Sequence, residues 1–289
     1  MVIDREVRDI IKHALSEDLG RQDLTSLFVI PMHFKTRGAI IARESGVLCG
    51  IDVVKAVFKE RSRSINFKAM KKDGQSFDKD EIVAYVGGEA LSILNCERVA
   101  LNLLAILSGV ATKTRQFVDK IAGTGARILD TRKTIPNLRS LQKYAVRMGG
   151  GYNHRKTLGE AILIKDNHLR AGKFMNGAHL DKDKIQRSLT YLRNYSHIKL
   201  EIEVENLEDF SVVISQKPSV IMLDNFKVVN IKKAVQIRNQ KYPAVKLEAS
   251  GGVNLDNVRE IAKTGVDFIS IGALTHSARS LDFSLEIVE

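Results

Sequence analysis

The sequence predicts a two-part α/β protein, with a helix and an antiparallel sheet ahead of a parallel βα barrel. Three observations carry this. At 289 residues the chain is long for one domain of about 150. Its first third holds short strand patterns separated by turn residues, and the remainder alternates apolar strands with helical segments of roughly ten residues.

Taken in order, Asp4 can cap a first helix whose Val7, Ile10, Ile11, Ala14 and Leu15 share a face. Strand patterns follow at Thr36–Arg43, Gly46–Ile51, Ser64–Met70 and Glu81–Val86. A long helix is expected from Cys96 to Gly123, with Val99, Leu103, Leu107, Val110, Phe117, Val118 and Ile121 as its apolar stripe. Six apolar strands come next, at Ala126–Asp130, Ala161–Lys165, Leu200–Val204, Val220–Asp224, Val245–Ser250 and Phe268–Gly272. Asn206 and Asn254 precede helical segments as caps, and Gly265 sits where a helix ends. Such alternation gives a parallel sheet of right-handed crossovers, and six units in this length favour a barrel. The segment Arg279–Glu289 is expected to run back onto the first domain.

Composition narrows the function classes. Hydrophobic residues at 44% and charged residues at 27% are the balance of a globular protein. The longest run without Lys, Arg, Asp or Glu, Val99–Thr112, contains Asn102 and Ser108 and falls short of the ~20 residues of a membrane span. The N-terminus carries charges where a secretory signal would be apolar. Cys49 and Cys96 have neither metal nor disulfide spacing, so a cytoplasmic protein is expected. The net charge of +11 attracts anions, but Lys and Arg are dispersed, Trp is absent and aromatics are 6%. A small anionic ligand fits this better than nucleic acid.

The strands of a parallel barrel all end on the face that carries the active site. Here five end in Asp130, Lys165, Glu203 with Glu205, Asp224 and Ser250, and the sixth ends at Gly272. One such residue could simply meet solvent; five at one end are harder to dismiss, because charges beside apolar strands are costly to desolvate. Ser250-Gly251-Gly252 and Ile271-Gly272-Ala273 follow consecutive strands and suit a sugar phosphate, although paired tight turns would look the same. Arg132, Lys133, His154, Arg155, Lys165 and His168 supply cations for carboxylates and phosphates. Arg139, Lys143 and Arg147, spaced four apart, are read as a solvated helical face, and His13, His33, His179 and His197 as surface or structural. Glu203 and Asp224, with no thiol or paired-His spacing nearby, suggest Mg²⁺. HExxH, paired CxxC and GxxxxGK[ST] are absent, which counts against zinc chemistry and a Walker-type nucleotide site.

A set of motifs extends these readings. Leu129-Asp-Thr-Arg-Lys-Thr-Ile-Pro-Asn-Leu-Arg, Lys143-Tyr-Ala-Val, Gly149-Gly-Gly-Tyr-Asn-His-Arg, Ile164-Lys-Asp-Asn-His, Glu201-Ile-Glu-Val-Glu, Leu223-Asp-Asn, Leu247-Glu-Ala-Ser-Gly-Gly and Ile271-Gly-Ala-Leu-Thr-His-Ser resemble the quinolinate phosphoribosyltransferase family. The resemblance reaches back to Glu97-Arg-Val-Ala-Leu-Asn and Glu17–Thr25, and so covers nearly the whole chain. Departures are slight: Ile135, Asn137 and Tyr152 stand at positions not expected to touch substrate. It implies an N-terminal α/β sandwich over residues 1–106, joined by the tail 277–289, and an incomplete seven-stranded α/β barrel over 107–276. The implied reaction is phosphoribosyl transfer from phosphoribosyl diphosphate to quinolinate with decarboxylation, in NAD biosynthesis. A related type II phosphoribosyltransferase with a different acceptor is the alternative.

The same resemblance implies a homodimer in which Arg98 completes the neighbouring site. Thr131, Arg132, Lys133, His154, Arg155 and Lys165 would surround quinolinate and the diphosphate sugar. Glu203 and Asp224 would face the ribose and its Mg²⁺, directly or through water, with Lys133, Lys165, Glu203 and Asp224 as the catalytic set. Ser250, Gly251, Gly252, Ile271, Gly272 and Ala273 would hold the 5′-phosphate. Two competing readings are a class I aldolase using Lys165 as a Schiff base, and a basic nucleic-acid-binding module.

Overall fold

A computed structural model describes residues 3–177, 179–195 and 198–288. His197 and Glu289 lie outside the described residues. The chain divides into two compact units: Met1–Arg115 with Lys133–Gly151 and Ala273–Glu289, and Gln116–Arg132 with Tyr152–Gly272.

The first unit opens with α1 (Arg5–Leu19) and α2 (Leu24–Val29). The Asp4 carboxylate accepts the Val7 N–H at 3.0 Å, capping α1, and Val7, Ile11 and Leu15 form its buried stripe. Then come β1 (Lys35–Ala42), β2 (Gly46–Val47), α3 (Ile51–Arg61), β3 (Asn66–Ala69), β4 (Ser76–Phe77) and β5 (Ile82–Glu89). The strand expected over Gly46–Ile51 is cut short at Val47. Gly50 takes φ +105°, and the Asp73 carboxylate accepts the N–H groups of Gly50 and Ile51 at 2.9 and 3.0 Å, which starts α3 instead. The long helix α4 (Ala90–Lys120) begins earlier than the expected Cys96. By length and composition it could cross a membrane, yet 56% of its most apolar window is buried inside the protein, the pattern of a core helix.

The same unit contains α5 (Arg139–Met148), α11 (Ala273–His276) and β14 (Phe283–Val288). The last strand pairs antiparallel with β1, and the sheet runs β14-β1-β5-β3. In α5 the expected solvated face is corrected: Lys143 is only 4% exposed and Arg139 is half-buried, leaving Arg147 exposed. Leu141, Ala145 and Val146 are buried around it, so the spacing of the charges did not reveal which face is covered.

The second unit contains β6 (Arg127–Leu129), β7 (Ile162–Ile164), α6 (Asp166–Ala171), β8 (Met175–Asn176), β9 (His179–Leu180), α7 (Lys182–Tyr195), β10 (Leu200–Val204), α8 (Leu207–Ile214), β11 (Val220–Asp224), α9 (Val228–Lys241), β12 (Lys246–Ser250), α10 (Val258–Ala262) and β13 (Phe268–Ser270). The six expected strands form one parallel sheet in the order β6-β13-β12-β11-β10-β7. Asn206 caps α8 by accepting the Asp209 N–H at 2.8 Å. Asn254 instead accepts from Asp256 and Asn257, so α10 starts later, at Val258.

No seventh strand joins this sheet among the described residues. Tyr152 makes a single parallel bridge to Leu129, donating its N–H to Ile128 O at 2.8 Å and accepting from Asp130 N at 3.1 Å. Gly149–Gly151 precede it, and immediately after it the Asp130 carboxylate takes the Asn153 amide and the His154 N–H. These side-chain bonds replace the ladder that would have extended a strand.

Candidate active site

Register decides which side chains meet. Partners in parallel strands face the same side, so Leu163 opposite Glu201, Glu203 opposite Met222, Met222 opposite Glu248, and Asp224 opposite Ser250 share one face of the sheet. All five residues of β10 are buried, so both of its faces are covered. Glu201 and Glu203, two apart, therefore lie on the same buried face of the sheet.

Lys165 follows β7 directly and donates to the Glu203 carboxylate at 2.6 Å. Glu203 is 7% exposed on its side chain and Lys165 44%, so the pair reaches from the interior to the open end of the sheet. The Lys165 backbone N–H donates to His168 Nδ1 at 3.0 Å, which opens α6. At the end of β11, Asp224 accepts the Asn225 side-chain amide at 2.7 Å, while the Asn225 backbone N–H, at φ +55°, donates to Ser250 O at 2.9 Å. Gly251, at φ +86°, lies against the Asn225 amide, which a Cβ would strike. Gly252 takes φ +61° with open space beside it, and its carbonyl accepts from the Asn257 amide at 3.0 Å. Backbone of this kind can approach phosphate oxygens.

His154 Nε2 lies 3.0 Å from Glu201 Oε2 and 3.9 Å from a Glu248 oxygen. Burial lowers the His154 pKa, but the Glu201 hydrogen bond and the Glu248 charge outweigh it, and the net shift is upward. Burial and the neighbouring Glu201 push Glu248 up to about 8. His154 Nδ1 accepts the Arg155 N–H at 2.8 Å, so the ring proton sits on Nε2, facing Glu201. This contact decides the ring state: an imidazolium would point one N–H at another. The Arg155 guanidinium donates to Ala161 O at 2.8 Å, and its pKa is lowered by burial and then by the charge of Arg132. Two guanidinium groups held close together favour an anion with more than one charge.

Arg132, Lys165, Glu203, Asp224 and Ser250–Gly252 thus fall at or near the C-terminal ends of strands in one sheet, whereas His154 and Arg155 follow the Tyr152 bridge, His154 meeting Glu201 within β10 and Arg155 meeting Ala161 just ahead of β7. Thr131 precedes Arg132, and Ile271 is buried with its N–H donating to Leu129 O at 3.0 Å; Gly272 follows it. Lys133, Ala273 and Arg98 belong to the first unit, where Lys133 O accepts the Thr275 hydroxyl, Ala273 opens α11 and Arg98 is exposed on α4. Sequence reasoning gave no role to Glu201, Glu248, Asn153 or Asn225. A signal existed for the two acids, since each interrupts an apolar strand at an interior position. His33 and His179 pair with Glu89 and Glu208 at exposed positions.

Residues 110–286 match the C-terminal domain of quinolinate phosphoribosyl transferase, and residues 23–108 match its N-terminal domain. A nicotinate-nucleotide pyrophosphorylase (carboxylating) from Mycobacterium leprae is 41% identical over 283 residues, covering 97% of this chain and 96% of that one. Nicotinate-nucleotide pyrophosphorylase structures from Ehrlichia chaffeensis and Francisella tularensis superpose with a TM-score of 0.89 each, at 39% and 36% identity. They cover all of this chain, and the chain covers 100% and 98% of theirs. The chain belongs to the quinolinate phosphoribosyl transferase family.

Proposed function

We infer that this protein transfers the phosphoribosyl group of phosphoribosyl diphosphate to quinolinate and releases CO₂, giving nicotinate mononucleotide and diphosphate for NAD biosynthesis. The observation that carries the reading is the gathering of Arg132, Lys165, Glu203, Asp224 and the Ser250–Gly252 turn at one end of one parallel sheet. The quinolinate nitrogen attacks C1 of the ribose, and diphosphate departs with the bonding pair. The ring nitrogen, now quaternary, accepts the electrons freed when the 2-carboxylate leaves as CO₂, and a proton takes its place at C2.

Arg132 and Arg155 hold the carboxylates and align the nitrogen, an orientation effect of several kcal/mol. His154 lines the same pocket, Lys165 faces the departing diphosphate, and Thr131 supports it. Glu203 and Asp224 stabilise positive charge developing on the ribose. The 5′-phosphate lies on Ser250, Gly251 and Gly252 and on Ile271 and Gly272. The donor set fits Mg²⁺: two carboxylates, each already holding an amine or amide, suit a cation that keeps its own water. Glu203 and Asp224 would hold Mg²⁺, directly or through water, and the ion would supply charge neutralisation for the diphosphate.

The second unit is read as an incomplete seven-stranded α/β barrel, with the Tyr152 bridge as the trace of the seventh strand, and the first as an α/β sandwich. A homodimer, with Arg98 crossing into the neighbouring site, draws support from Phe28, Val29 and Met32, apolar side chains 69–87% exposed on one segment. The free thiols Cys49 and Cys96, both buried, suit a cytoplasmic protein.

Purified protein given quinolinate, phosphoribosyl diphosphate and Mg²⁺ should form nicotinate mononucleotide and CO₂. Turnover of another pyridine carboxylate in place of quinolinate would establish the alternative acceptor. A borohydride-trapped adduct on Lys165 would overturn the transferase reading in favour of the aldolase.

A further inference from the structure

We propose that Glu201 and Glu248 are positioning residues that act through the His154 imidazole to hold Arg155 where it meets the carboxylates of the acceptor. This rests on the transferase reading and deepens it. The connection is continuous. The Arg155 N–H donates to His154 Nδ1 at 2.8 Å, and His154 Nε2 donates to Glu201 Oε2 at 3.0 Å. Glu248 lies beyond, 3.9 Å from the same nitrogen, and the Asp130 carboxylate takes the His154 N–H at 2.9 Å from the other side. The ring is therefore gripped at both nitrogens and at its backbone, and Arg155 is the next residue in the chain.

His154, Glu201 and Glu248 have ligand atoms within 4.8 Å of one another, a spacing that a metal ion could use. The hydrogen bonds decide against that. A metal-bound imidazole carries its proton on the other ring nitrogen and donates it outward. Here Nδ1 is the acceptor and the proton occupies Nε2, the nitrogen facing the acids. Glu201 Oε1 and both Glu248 oxygens are buried with no hydrogen-bond partner. Two naked anions side by side would be very costly to bury, so Glu248 is kept as the neutral acid. In that form it can lie against Glu201 while Glu201 accepts from the imidazole. Glu201 is 1% exposed and Glu248 fully buried, so neither reaches the ligand itself.

The test separates the two Michaelis constants in the full-length enzyme. Glu201→Ala should raise the quinolinate KM at least tenfold and leave that for phosphoribosyl diphosphate within about twofold. Glu201→Gln, which still accepts a hydrogen bond, should recover part of the loss. Glu248→Gln, shaped like the neutral acid, should recover most of what Glu248→Ala loses. If Glu201→Ala does not fold, Glu201→Gln is decisive: an increased quinolinate KM supports the proposal and an unchanged one overturns it. An equal rise in both constants overturns it too, as does a stoichiometric metal retained by the wild type and lost from Glu248→Gln. Wild-type turnover of quinolinate is measured first. Its absence would remove the transferase reading, whereas normal wild-type turnover with unaffected variants would remove only the positioning role.

Discussion

Glu248 is a carboxyl group with no exposure to water, and its pKa of about 8 follows from burial and from Glu201 beside it. A group whose folded pKa lies above its unfolded value adds stability at low pH, and loses it as pH climbs toward the folded value. Wild-type stability should therefore fall between about pH 4.5 and 8, and Glu248→Gln should remove that part of the slope. Melting temperatures at pH 5 and pH 9 check this: the variant should gain on the wild type at the higher pH, and parallel curves would refute it. Lys165→Ala should lower kcat/KM by about 10²–10³-fold, because it removes the charge proposed to meet the leaving group and leaves the buried Glu203 without its partner. Wild-type kinetics in that variant would eliminate Lys165 from the site. Lys165, Glu203 and Asp224 stood out in the sequence because each lies at or beside the end of an apolar strand. Glu201 and Glu248 showed in the sequence only as acids interrupting apolar strands; their meaning depends on the register that puts both on one face of the sheet and on the His154 ring that meets them there.

Among elements, α3 shows where pattern reading stops. Nothing local in Gly46–Ile51 separates a strand from a turn into a helix; the decision comes from Asp73, over twenty positions away. Its carboxylate accepts the first two N–H groups and also the Tyr144 hydroxyl, at 2.8 Å. Burial raises the Asp73 pKa despite those bonds. Asp73→Ala should cost about 1–3 kcal/mol in urea unfolding, and an unchanged midpoint would show that α3 starts without it. On the other sheet, Arg238 of α9 donates to Gly265 O and to Asp267, tying the helix to the chain entering β13. Arg238 is 7% exposed, so Arg238→Ala should lower stability by about 3 kcal/mol or more, again read by urea unfolding.

For the whole molecule, the proposed homodimer makes the strongest demand. If Arg98 serves the neighbouring site, Arg98→Ala and Lys165→Ala are each inactive alone but complement each other when mixed. Random reassociation makes half the dimers hybrids, each with one intact site, so about a quarter of wild-type activity should return. No recovery after subunit exchange would place Arg98 outside the neighbour's site. The surplus of positive charge, +11, suits a protein whose ligands carry phosphates and carboxylates.

The sequence by itself determined the alternation of the six strands of the parallel sheet with helices and the polar residues near their ends, because apolar runs and abrupt changes of polarity are local signals. It also carried the family motifs, which name residues without placing them. Tertiary structure alone decided that Tyr152 makes a single bridge to Leu129 rather than a strand, that Lys143 is covered, and that Glu201 and Glu248 converge on His154. Each of those outcomes depends on groups distant in the chain competing for the same hydrogen bonds or the same buried space, and no window along the sequence contains both competitors.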